Sequence, residues 1–387
     1  MPITLTARDL LDKLISFPTV STESNLELID WVEGYLDDFG VASCRVYNED
    51  RTKANLYALV GPEEAGGVVL SGHTDVVPVQ GQPWDTDPFQ VTEKDGKLFG
   101  RGTCDMKGFG ALALAAVPRA LERGVKRPLQ IALSYDEEIG CVGAPFMIAE
   151  MRKTLPPASA VIVGEPSMMK VVSGHKGGIG YKVHLRGFEV HSSLMHTGVN
   201  AIMYASKLIE WANQRNAQSM AATPTEMASA FDPPFTTWQI GTIKGGTAEN
   251  ITALDCWMGF GFRMVPGDDM HALEAAFMAK VAEVEAEMKA VRPEAFIHVE
   301  SSFNVPALKP EMDGKAEALV RKITGDNGEH VVSYGTEAGQ FQAEDYSTIV
   351  CGPGDIAQAH QPNEFLEVSQ FQAGEVFMER LIDHLAT

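Results

Sequence analysis

Short apolar runs that end in polar or glycine-rich loops alternate, through the first half of the chain, with stretches whose apolar residues recur at helical spacing. In order, GVVLSGH (67–73), FGALALAAVPRALERG (109–124), LQIALSYDE (129–137) and SAVIVGEP (159–166) read as strand, helix, strand and strand. This alternation predicts an α/β sheet. Strand carboxyl ends in such sheets open on a shared crevice, so residues far apart in sequence, His73, Glu137, Glu138 and Glu165, can converge there. Pro118 predicts a kink or a division in the helical stretch. TARDLLDKLISF (6–17) reads as an amphipathic helix capped by Thr6 rather than a secretory signal.

The texture changes near Gly178. An alternating run, GYKVHLRG, is followed by helix NAIMYASKLIEWANQ, a loop rich in Pro, Thr and Met, strands TTWQIGTIKG and DCWMGFGFRMV, helix DDMHALEAAFMAKVAEVEAEMKAV and strand AFIHVESSFNV. The order is β-α-β-β-α-β, a split βαβ or ferredoxin-like unit. We read 179–304 as an inserted domain, with 1–178 and 305–387 forming the other. Helix KAEALVRKITG, strand HVVSYG and the loop carrying His360 complete that first domain.

A length of 387 residues with 45% hydrophobic and 21% charged positions fits a folded chain with large cores. The formal charge of −21 disfavours nucleic-acid and anionic-membrane partners, which it would repel. No apolar run approaches the roughly 20 residues of a membrane span. The five cysteines, at 44, 104, 141, 256 and 351, contain no CxxC pair, and we read them as reduced thiols of a cytoplasmic protein.

The chemistry lies where the predicted strands end. His73 and Asp75 in GHTDVVP are two apart and share a side of the chain, so an imidazole ligand and a carboxylate that fixes its tautomer are one reading. Asp105 in GRGTCDMKG precedes a helix, where it would either cap the helix or bridge two cations. The adjacent Glu137 and Glu138 in SYDEEIGC would point apart on an extended chain, so a turn must bring both to one site. Glu165 in GEP and His360 in AHQPNEF complete the set. Each has an ordinary explanation alone, as a strand-end histidine, a solvated acid or a turn residue. One shared site explains them together. Imidazole and carboxylate without thiolate suit zinc, cobalt or manganese, and the ligand count fits two cations sharing a carboxylate, with a glutamate beside them to move the proton.

GHTDVVP, GRGTCDMKG, DEEIG, GEP, HSS, GVNAI and AHQPNEF, in this order over nearly the whole chain, resemble the dizinc amidohydrolases that include acetylornithine deacetylases, succinyl-diaminopimelate desuccinylases, aminoacylases and glutamate carboxypeptidases. The resemblance implies a zinc-peptidase-like catalytic domain with a mixed central sheet flanked by helices, and an inserted domain that forms a homodimer. It implies two Zn2+ per subunit, or Co2+, with His73 and Glu165 on one, Glu138 and His360 on the other, and Asp105 between them. Asp75 would orient His73, Glu137 would be the general base, and His191 would reach a partner's site to polarise the scissile carbonyl. Asn250, Arg263 and Thr336 would contact a small N-acyl amino acid. TCDMKGF and GEPSMMKVVSGHKG look most like the deacetylases that act on N2-acetyl-L-ornithine in arginine biosynthesis. Phe188, Glu189 and Val190 before His191, and Thr252 and Ala253 after NI, depart from that pattern. A metal-binding module on a decayed hydrolase scaffold is the alternative outside enzymes; a proton-moving Glu137 beside a full ligand set argues against it.

Overall fold

The computed structural model describes residues 4–387. The chain divides into two compact units: one runs up to His175 and resumes over Leu308–Val331 and Thr336–Thr387, and the other comprises Lys176–Ala307 with Val332–Gly335.

The first unit is built on an eight-stranded sheet in the order Ser43–Tyr47, Ala54–Val60, Leu129–Ser134, Gly67–His73, Ala158–Pro166, Thr348–Gly352, Val172–His175, His330–Val332. Gly67–His73 runs parallel to Leu129–Ser134 and Ala158–Pro166, and Thr348–Gly352 parallel to the latter. Ala54–Val60, Ser43–Tyr47 and Val172–His175 join antiparallel, so the sheet is mixed. Every residue of the strands 67–73, 129–134 and 348–352 is buried, as parallel strands are when both faces are covered. Their common direction puts His73, Glu165 and the loop after Ser134 at one end of the sheet.

Helix Lys107–Arg123 packs on this sheet and against helices Ala7–Ile15 and Val368–Ala386. The expected division at Pro118 does not occur, and the helix continues to Arg123, where Gly124 closes it at φ +64°. Proline leaves the carbonyl four residues back without a donor. That carbonyl, of Leu114, accepts instead from the Tyr35 hydroxyl at 3.3 Å. Thr6 caps the helix Ala7–Ile15 in a reciprocal box with Asp9.

The second unit is a four-stranded antiparallel sheet ordered Thr237–Gly245, Asp255–Met264, Gly177–Arg186, Phe296–Val305, with helices Ala201–Ala221 and Met270–Val291 completing the β-α-β-β-α-β sequence. Strand alternation decides its faces. Tyr181, Val183, Leu185, Met258, Phe260 and Phe262 join Leu208, Phe277, Val281 and Val284 in its core, whereas Lys182, Trp257 and Arg263 face outward.

The glycine of the GEP motif has a steric cause: a Cβ on Gly164 would lie 2.0 Å from the buried ring of Phe109. Gly164→Ala therefore overpacks the helix–sheet contact beneath Glu165. It is expected to lower stability by about 1–3 kcal/mol in urea unfolding, and an unchanged midpoint would show that the ring can swing clear.

Candidate active site

Each acidic or imidazole group at the sheet's carboxyl end is held by backbone contacts before it meets its neighbours. His73 closes its strand with Nδ1 2.9 Å from the main-chain carbonyl of Asp75. A carbonyl only accepts, so Nδ1 carries the proton and Nε2 points inward, 3.0 Å from Asp105 Oδ1 and 3.8 Å from Glu165 Oε1. The bond expected between His73 and the Asp75 side chain is thus made by the Asp75 main chain, the carboxylate standing 3.7 Å off. That carboxylate accepts instead from Ser21 Oγ at 2.6 Å and from the amides of Glu137 and Glu138 at 3.1 and 3.3 Å.

This anchoring solves the problem of two adjacent acids. Asp136 takes φ +56°, and the amides of Gly140 and Cys141 return to the Glu137 carbonyl at 2.9 and 2.8 Å, so the chain turns tightly and both side chains face the centre. Glu138 Oε2 lies 2.9 Å from His360 Nε2. Glu137 Oε1 accepts from the Cys141 thiol at 3.0 Å.

Asp105 does not cap the following helix, whose N-cap is Met106 without a side-chain bond. Its two oxygens face different imidazoles: Oδ1 meets His73, and Oδ2 lies 3.2 Å from His360 Nε2. The loop is pinned by Glu364, whose Oε1 accepts from the amides of Gly102, Cys104 and Asp105 at 3.0, 3.0 and 3.1 Å while Oε2 takes Arg101 at 2.5 Å. Glu337, likewise buried, accepts from Ser71 and Ser134 at 2.5 and 2.7 Å, tying together the strands that lead to His73 and the acid pair. Sequence reasoning missed Glu364, Glu337 and Cys141, because a lone acid or thiol in a loop carries no spacing signal. Only their place inside AHQPNEF, YGTEAG and DEEIGC marked the neighbourhood.

The charge balance calls for cations. Ligand atoms of His73, Asp105 and Glu138 lie within 4.8 Å of one another, as do those of His73, Glu137 and Glu165. Burial pushes Glu137 up to about 8, with the Glu138 charge adding to it against the pull of His73. Burial also raises Glu138 and, farther, Glu165, each with Asp105 adding to the effect. Burial opposes a charged His73, but the hydrogen bond to Asp105 and the nearby acids outweigh it and hold the imidazole well above its usual range. Bonds to Asp105 and Glu138 push His360 up to about 10. A neutral His73, its Nδ1 proton already committed, would aim a lone pair at two carboxylates. Positive charge between these donors removes that conflict, and an all-nitrogen-and-oxygen donor set suits a borderline divalent ion. The residues fit a pair of metal ions.

Of the other predicted site residues, His191, Asn250 and Arg263 belong to the second unit. In the second unit, exposed His191 accepts the Ser193 amide on Nδ1 at 3.3 Å and meets the Ser193 hydroxyl at 2.8 Å, which leaves Nε2–H as an outward donor. Asn250 is its neighbour, its carbonyl accepting from the Ser192 amide at 2.9 Å. Arg263 is exposed on the outward sheet face, next to Gly178. Thr336 is fully buried, and its hydroxyl accepts from the Ala338 amide at 3.0 Å at the start of a short helix.

The model of the peptidase family M20/M25/M40 matches residues 69–384. An acetylornithine deacetylase of Myxococcus xanthus is 32% identical over 389 aligned positions, covering 97% of each chain. One of Pasteurella multocida is 33% identical over 97% of this chain and 96% of its own. Among solved structures, an M20 family metallo-carboxypeptidase of Sulfolobus solfataricus shares the fold at a TM-score of 0.80 and 16% identity, with 99% of both chains covered. A dinuclear metal-binding M20 peptidase of Bacillus subtilis does so at 0.63 and 14%, covering 98% of this chain and 97% of that one. The chain belongs to the peptidase family M20/M25/M40 and is a metal-dependent hydrolase of linear amides.

Proposed function

We propose that the protein removes the acetyl group from N2-acetyl-L-ornithine, giving L-ornithine and acetate, as a cytoplasmic step of arginine biosynthesis. The observation that carries the chemistry is Asp105, with one oxygen against His73, the other against His360, and a further acid beside each imidazole. The substrate assignment is supported by relatives that bear this activity in their names over nearly the full length.

His73 and Glu165 would hold one cation, Glu138 and His360 the second, with Asp105 shared. When bound, two zinc or cobalt ions would polarise the amide carbonyl and make a water acidic enough to attack near neutral pH. Glu137 takes the proton from that water on its free carboxylate oxygen, the other being held by the Cys141 thiol, and passes it to the amine nitrogen as the C–N bond breaks. His191, with its donor at Nε2, stabilises the carbonyl oxygen as it gains negative charge, acting from the partner subunit of a homodimer. Asn250, whose carbonyl holds the Ser192 amide next to His191, would contact the substrate from an adjoining loop, and Arg263 supplies a planar fork for the substrate carboxylate.

Glu137→Gln should retain fold and metal content while turnover falls by about 10²–10⁴-fold; near-normal turnover with metals bound would remove Glu137 from this role. Chelation leaves the buried acids uncompensated, so the melting temperature should drop and recover with Zn2+ or Co2+. The gain would be about 2.7 kcal/mol at a hundredfold excess over Kd, and a temperature indifferent to metal would count against the site. His191→Ala should lower kcat more than it raises KM, with activity regained on mixing His191→Ala and Glu137→Gln subunits if the histidine crosses the interface. A panel of N-acetyl-ornithine, N-succinyl-diaminopimelate, other N-acetyl amino acids and dipeptides tests the substrate directly. A preference for any but the first overturns that part of the proposal.

A further inference from the structure

His360 is the weakly held member of the cluster. Its side chain is 53% exposed, whereas those of His73, Asp105, Glu138 and Glu165 are 5% exposed or less. Its backbone sits at φ +63°, a region that a residue with a β-carbon occupies only when its surroundings hold it there. Its main-chain carbonyl accepts a hydrogen bond from Gln82 Nε2 at 3.0 Å.

Gln82 is itself fixed by chemistry that permits one orientation. Its Oε1 accepts from the Arg101 guanidinium at 2.6 Å and from Trp84 Nε1 at 3.2 Å. Both are obligate donors, so the amide nitrogen must face the His360 carbonyl. Arg101 is buried and grips Glu364, the same carboxylate that gathers the amides of Gly102, Cys104 and Asp105. One buried ion pair thus ties the Asp105 loop to Glu364, four residues beyond His360, and Arg101 reaches the His360 carbonyl itself through the Gln82 amide. Asp85, in the loop that carries Gln82, also meets Asn363 in the His360 loop through bonds of 2.8 and 3.1 Å, so these two loops stay joined without the Gln82 amide.

We infer that Gln82 is a positioning residue that sets His360 relative to Asp105, and with it the affinity of the cation shared by Glu138 and His360. The inference rests on the two-cation reading above. Loss of such an outer contact typically costs 10–100-fold in metal affinity.

Co2+ titrated into the metal-free full-length protein, followed by calorimetry and visible absorption, should resolve two binding events, with His360→Ala lacking the weaker. Gln82→Ala is expected to weaken that event about tenfold and to leave the tighter one within about twofold. Gln82→Glu keeps an acceptor for Arg101 and Trp84 but sets an oxygen against the His360 carbonyl, so it should weaken the same event at least as much. The unfolding midpoint of the metal-free protein should stay unchanged in both, which separates positioning from general loosening. Wild-type affinity at the weaker event in both variants, or equal weakening of both events, would overturn the role of Gln82. A wild-type chain that takes up one cation only, or a His360→Ala chain that still takes up two, would overturn the two-cation reading and this inference with it.

Discussion

Crowded negative charge is the constraint around which the catalytic unit is organised. Asp75, Asp105, Glu137, Glu138 and Glu165 converge with two histidines at the carboxyl end of one sheet, where burial makes each carboxylate expensive to ionise without a partner. The surroundings are arranged to keep this cluster assembled. Asp75 spends its carboxylate on the backbone of the acid pair, Glu364 spends its own on the backbone of the Asp105 loop, and Glu337 joins two strands through their serines. Each uses its lone pairs to fix the chain that presents a neighbour.

The same logic bears on the roles proposed for the acid pair, Glu137 as base and Glu138 as ligand. Glu137 and Glu138 are adjacent and share the Asp75 anchor, yet the Glu138 carboxylate pairs with the His360 imidazole while that of Glu137 takes its hydrogen bond from a thiol. A thiol is a weak donor, so Glu137 is oriented without losing much of its affinity for a proton. A general base near a metal pair needs that combination of fixed geometry and retained basicity.

The strands that end at the site and the elements of the second unit were legible from the chain itself, whereas helices Leu26–Asp38, Ala144–Thr154 and Val368–Ala386 were not. Strand 67–73, the helix running to Arg123, and the β-α-β-β-α-β order of the second unit follow from apolar periodicity, because burial on one or both faces imposes it. Pro118 leaves its helix undivided for a tertiary reason. The cost of the lost backbone donor is met by Tyr35, a residue 79 positions from Leu114 that no local pattern connects to it. The burial of Thr336 and its bond to the Ala338 amide are likewise tertiary facts that no local pattern carries.

By itself the sequence determined the fold class, the order of elements and the inventory of nitrogen and oxygen donors, since residue type and spacing are local properties. Only the tertiary structure decided which atoms face each other: that Asp105 divides its oxygens between His73 and His360, that the Asp75 carbonyl rather than its carboxylate sets the His73 tautomer, and that Glu364 and Gln82 reach the loops they hold. Apart from the His73–Asp75 contact, those pairings join residues tens to hundreds of positions apart through the direction of a hydrogen bond. Direction is fixed by how strands and turns stack in space, which spacing along a chain does not encode.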